Sequence, residues 1–93
     1  MDNELIKAKI LYSLARKRKW GESHTAWENL FRVFKSEAAG KDIMRQAKEA
    51  ADELYRQGFI LKKPTGYGLQ VSLNPNFSHN VKVIIKENLG IDL

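Results

Sequence analysis

The stretch Leu54-Tyr55-Arg56-Gln57-Gly58-Phe59-Ile60, running on as LKKPTGYGLQVSLNP from Leu61 to Pro75, changes its apolar period partway along, and that change decides the fold. Upstream of it, Ile43, Ala47, Ala50, Ala51 and Leu54 share one face of a helix of 3.6 residues per turn. Gly58 stops that helix. From Phe59 onward the pattern is extended, with Leu69, Val71 and Leu73 alternating with Gln70, Ser72 and Asn74. Two strands so joined across Pro64-Thr65-Gly66-Tyr67-Gly68 must pair antiparallel, because five residues leave no room for a crossover.

Working back toward the N-terminus, Gly40 interrupts the helical pattern, so a turn is expected at residues 37–40 and a helix at 41–57. The alternative is one long helix through Gly40, at a cost of about 1 kcal/mol. Before it, Trp27, Leu30, Phe31 and Phe34 recur at i, i+3, i+4 and i+7, the densest apolar stripe in the chain. Thr25 and Glu28 match a capping box, so a helix is expected to start there. A first helix is expected over residues 3–19, capped by Asn3, with Leu5, Ile6, Ile10, Leu11, Leu14 and Ala15 inward and Gly21 as its stop. After Pro75, Asn76 to Ser78 offer caps, and Val81, Ile84, Ile85 and Leu89 predict a last helix ending at Gly90.

The order is therefore helix, helix, helix, hairpin, helix: an α+β, mainly helical fold occupying residues 1–93 as one domain, since 93 residues cannot supply two worthwhile cores. With 43% hydrophobic and 29% charged residues and a net charge of +5, the chain is expected to fold rather than stay disordered. No apolar run reaches the roughly 20 residues of a membrane span, and Met1-Asp2-Asn3-Glu4 lacks a basic leader, so a soluble, cytoplasmic protein is expected. Zero cysteines exclude disulfides and thiol chemistry. His24 and His79 have no partners at metal-ligand spacing, and the local run Ser23, His24, Glu28 does not supply the geometry of a catalytic triad, so neither an enzyme nor a cofactor is expected.

In the run LYRQGFI and in LKKPTGYGLQVSLNP the chain resembles the winged helix-turn-helix family, a three-helix unit followed by a two-stranded antiparallel wing, and it is similar to small, largely uncharacterised archaeal winged-helix proteins. The resemblance implies DNA binding, with transcription regulation as its setting, the third helix (residues 41–57) toward the major groove and residues 62–67 as a wing on the backbone. It covers nearly the whole chain. Family members also bind RNA or serve as protein contacts, so the likeness specifies architecture more than function.

The charge is unevenly spread. Residues 1–21 hold six Lys/Arg against two Asp/Glu, whereas residues 41–58 hold four against four. The outward face of the third helix carries Lys41, Arg45, Lys48, Glu49, Asp52 and Arg56, which allows the i,i+4 pairs Arg45–Glu49, Lys48–Asp52 and Asp52–Arg56. Its first two turns supply Arg45 and Gln46 as candidate base readers, for guanine and adenine respectively, and Lys41 and Lys48 for phosphate. Arg16, Lys17, Arg18 and Lys19 form the densest basic block; they suit phosphate, or equally the negative end of the first helix, while Trp20 is expected to pack against the fold. Lys62, Lys63 and Tyr67 are the wing candidates, although strand lysines also discourage edge pairing.

Double-stranded DNA is thus the expected partner. A protein-interaction module without nucleic acid is the competing expectation, in which Val81, Val83, Ile84, Ile85 and Leu89 give the last helix an apolar span suited to a homodimer.

Overall fold

The computed structural model describes residues 2–35 and 40–93. Its helices are α1 (Asn3–Arg16), a 3-10 helix (Trp27–Phe34), α2 (Lys41–Arg56) and α3 (Ser78–Leu89). Strands β1 (Thr25–Ala26), β2 (Ile60–Thr65) and β3 (Gly68–Leu73) form an antiparallel sheet in the order β1-β3-β2. The fold class is α+β, as the change of period predicts.

One core joins all these helices and the hairpin. Ile6, Ile10, Leu11 and Leu14 of α1 meet Leu30, Phe31 and Phe34 of the 3-10 helix, the Ile43-to-Leu54 face of α2, Ile60, Val71 and Leu73 of the hairpin, and Val81 and Ile85 of α3. Burying each such large side chain contributes roughly 1.5–3 kcal/mol relative to exposure. The alanines of α2 let α1 approach closely, and across that seam Lys7, only 5% exposed, reaches Glu53 at 2.9 Å.

Several expectations are corrected. The first helix ends at Arg16, not Lys19, and Asp2 rather than Asn3 caps it, its carboxylate accepting from the Glu4 amide at 3.4 Å. The stop is a Schellman turn: the Arg18 amide donates to the Ala15 carbonyl and the Lys19 amide to the Leu14 carbonyl, both at 3.0 Å, with Arg18 at φ +56°. Gly21 therefore ends no helix. Its loop is instead tied to the sheet, because the Leu73 amide donates to Lys19 at 2.7 Å and the Ser72 hydroxyl to the Gly21 carbonyl at 2.7 Å.

The capping box at Thr25 does not form. Thr25 and Ala26 pair with Val71 and Gln70, adding a third strand to the expected two-stranded wing, and the Thr25 hydroxyl accepts from the Asn29 amide group at 2.8 Å. Sheet pairing holds both residues extended, so helical backbone begins only at Trp27. There the turns are 3-10, with three residues per turn, and Phe31 and Phe34 are buried together while Trp27 packs edge-on against Phe31 at 5.2 Å.

The turn expected at residues 37–40 lies outside the described residues except for Gly40, whose φ of +56° and ψ of −115° are incompatible with a helix running through it. The five-residue hairpin connection shrinks to Gly66-Tyr67, since Thr65 pairs with Gly68 and Pro64 with Leu69. After β3, Asn74 caps a short 3-10 turn over Pro75–Phe77, its side chain accepting from the Asn76 amide at 3.0 Å, and α3 then begins after Phe77 without the side-chain cap expected from Asn76 to Ser78. Gly58 and Gly90 end α2 and α3 as expected, at φ +89° and +69°.

Candidate nucleic-acid interface

The third helix of the sequence reading is α2, and its solvent face carries the candidates at helical spacing. Lys41, Arg45 and Lys48 are exposed and border one groove together with Lys35, Glu49 and Asp52. Arg45, with 62% of its side chain exposed, is held by Asp42 at 3.3 Å and Glu49 at 3.6 Å. The second of these pairs is the one the spacing predicts. Exposed pairs of this kind contribute about 0.2–1 kcal/mol, so the guanidinium is free to exchange them for a stronger partner.

The other two expected pairs are replaced. Asp52 turns to Lys62 of β2 at 3.1 Å, so neither Lys48 nor Arg56 has a carboxylate within ion-pair distance among the described residues. A contact between helix and strand lies outside what i,i+4 spacing can reveal. It leaves Lys48 available on the surface.

Lys62 itself is turned inward. Its ammonium sits 4.4 Å from the Tyr55 ring centroid and 4.8 Å from that of Trp27, so it ties the hairpin to α2 and the 3-10 helix instead of facing solvent. Strand alternation then puts Lys63, paired with Gln70, on the opposite face and exposed. At the hairpin tip the Tyr67 side chain is 99% exposed, above a turn in which its amide donates to the Thr65 hydroxyl at 3.2 Å and that hydroxyl donates to the Gly68 carbonyl at 2.8 Å.

Gln46 does not share the Arg45 face. It borders a cleft with Asn3 and Ile6 of α1, and its Oε1 is buried without a hydrogen-bond partner among the described residues. The basic block is divided. Arg16 and Lys17 face a separate groove beside Arg32, Arg18 occupies the Schellman turn, and Lys19 is half-buried at the sheet. Trp20 packs against the core as expected. Arg32 and Lys9 were missed by the sequence reading, because nothing in a linear spacing brings residue 32 to the end of α1.

On α3, Val81 and Ile85 are buried and Ile84 and Leu89 are half-buried against the core, so of the five apolar residues proposed as a dimer seam Val83 alone is exposed. No helix among the described residues is long and apolar enough to cross a membrane, and none of their His, Asp or Glu side chains cluster to hold a metal.

Lys41, Arg45 and Lys48 thus line one groove on α2 and the Arg16–Lys17 pair another, while Lys63 and Tyr67 are exposed on the hairpin outside both. Compared with known proteins, the chain matches no family model, no curated protein and no solved structure.

Proposed function

We propose that the chain is a winged-helix module that binds double-stranded DNA, with α2 toward the major groove and the β2–β3 hairpin on the backbone. The observation that supports this reading is the Lys62–Asp52 contact, which docks the hairpin on the same side of α2 that exposes Arg45 and Lys48. A helix of 16 residues is about 24 Å long, ample for its first turns to enter a groove about 12 Å wide. In this reading Arg45 reads a base edge, Lys41, Lys48 and Lys63 meet phosphates, and Tyr67 touches the backbone. Gln46 drops out as a reader because its carboxamide oxygen is buried at the cleft with α1, off the Arg45 face.

The test is fluorescence anisotropy with a duplex over a range of salt. The three lysine–phosphate contacts give a slope of log K against log salt of roughly −2.7, and Lys48→Ala and Lys63→Ala should each flatten it by about 0.9. Absence of duplex binding at low salt, or a slope indifferent to both substitutions, overturns the reading.

A protein-interaction module is the second reading, favoured by the capture of Arg45 between Asp42 and Glu49, which leaves the face of α2 close to neutral. The same titration separates the two, since a protein-docking face predicts no duplex affinity beyond that of an unrelated basic protein.

A further inference from the structure

On the other side of the 3-10 helix, a groove of about 500 Å³ lies between α1, that helix and the chain's C-terminal tail. Its apolar surface comes from Tyr12, Val33, Leu89 and Ile91. Its charged surface comes from Arg16, Lys17 and Arg32, and none of the described residues that line it carries a carboxylate. Arg16, Lys17 and Arg32 make no ion pair among the described residues, whereas Lys86, in the next turn of the tail region, is neutralised by Asp92 at 3.0 Å. Gly90, at φ +69°, reverses the chain after α3 so that Ile91 folds back as one wall and Asp92 is drawn to Lys86.

Cations crowded around one partly apolar volume raise the local positive potential, and an anion that brings its own apolar body relieves that repulsion while covering the exposed hydrocarbon. The volume falls within the range of about 300–1,000 Å³ that small-ligand sites occupy, and is too small for a folded partner. Asn29 adds a polar group at the edge: its amide nitrogen is committed to Thr25, leaving the carboxamide oxygen to accept a ligand hydroxyl. We propose that this groove binds a small amphipathic anion, an aromatic or aliphatic body carrying a carboxylate, sulfonate or phosphate. The site shares no residue with the α2 surface and does not depend on the DNA reading.

The probe is 8-anilinonaphthalene-1-sulfonate, titrated into the whole chain by fluorescence and by amide NMR, with N-phenyl-1-naphthylamine as the same body without the charge. Saturable binding is expected, with shifts at residues 12–17, 29–33 and 89–91 and none at 41–48. Removing two charge-assisted contacts in Arg16→Gln/Arg32→Gln should weaken the sulfonate at least about tenfold and leave the neutral dye unchanged. Val33→Glu, at a side chain already 42% exposed and so safe for folding, should abolish sulfonate binding by placing a carboxylate in the groove. Equal affinity for both dyes, indifference to either variant, or shifts centred elsewhere overturns the proposal.

Discussion

The Lys62 ammonium lies 3.1 Å from Oδ1 of Asp52, so the first lysine of the hairpin and the last acid of the α2 groove neutralise each other. With Tyr55 and Trp27 flanking the ammonium, this contact joins β2, α2 and the 3-10 helix at one point. It orients the hairpin, and it holds Lys62 against α2 while Lys63 faces solvent on the other side of β2.

Lys62→Met is expected to lower stability by about 1–2 kcal/mol through loss of the ring contacts and the partly buried pair. The salt dependence of duplex binding should stay at the wild-type slope, in contrast to Lys63→Ala. Urea unfolding and anisotropy on the same two variants give both readouts, and a flatter slope for Lys62→Met would show that this lysine meets phosphate after all.

Gly58 is irreplaceable on two counts. At φ +89° an L side chain is strained, and a Cβ there would stand 3.2 Å from the Phe77 ring, which itself packs on Phe59. Gly58→Ala should cost about 2 kcal/mol or more, read as a lower urea midpoint with an unchanged m-value.

Arg18 pays the opposite penalty, holding φ +56° where a Schellman turn favours glycine. Arg18→Gly should raise stability by about 1 kcal/mol. Calorimetry showing an unchanged or lower melting temperature would contradict that account of the turn.

The carboxyl of Glu53 is held below its usual value of 4.5, chiefly by the hydrogen bond from Lys7 and then by that ammonium's charge. A depressed folded-state value means the pair stabilises the protein above the ordinary carboxylate pKa, and that this contribution is lost as the pH falls through the lower, folded value. Carboxyl carbon NMR titration should show Glu53 returning toward 4.5 in Lys7→Met. Glu53→Gln should destabilise more than Lys7→Met, because it leaves a buried ammonium with only the Glu4 carboxylate, at 3.9 Å, instead of removing it.

Gln46→Leu removes a buried oxygen that has no hydrogen-bond partner among the described residues, and is expected to be neutral or stabilising by up to about 1 kcal/mol. Duplex affinity should not move. A selective loss of binding to adenine-containing sites would restore Gln46 as a base reader.

The α+β order, the extent of α2, the hairpin and the stops at Gly58 and Gly90 were all legible from periodicity and glycine placement, since each depends on residues within a few turns of one another. The exposed line of Lys41, Arg45 and Lys48 was legible for the same reason. The cap at Asp2 and the Schellman stop after Arg16 were missed although local, whereas the misses that shape the site involve partners distant in sequence. Thr25 has the chemistry of a helix cap, yet pairing with Val71 takes it into the sheet; Lys62 reads as a surface lysine, yet Asp52, Tyr55 and Trp27 enclose it; Arg16 and Arg32 are unrelated in the chain, yet border one groove. Local propensity and side-chain period belong to the sequence by itself, because they are properties of neighbouring backbone. Which cations are spent inside the fold and which remain outside was decided only by tertiary packing, because that depends on what the rest of the chain brings within a few ångströms.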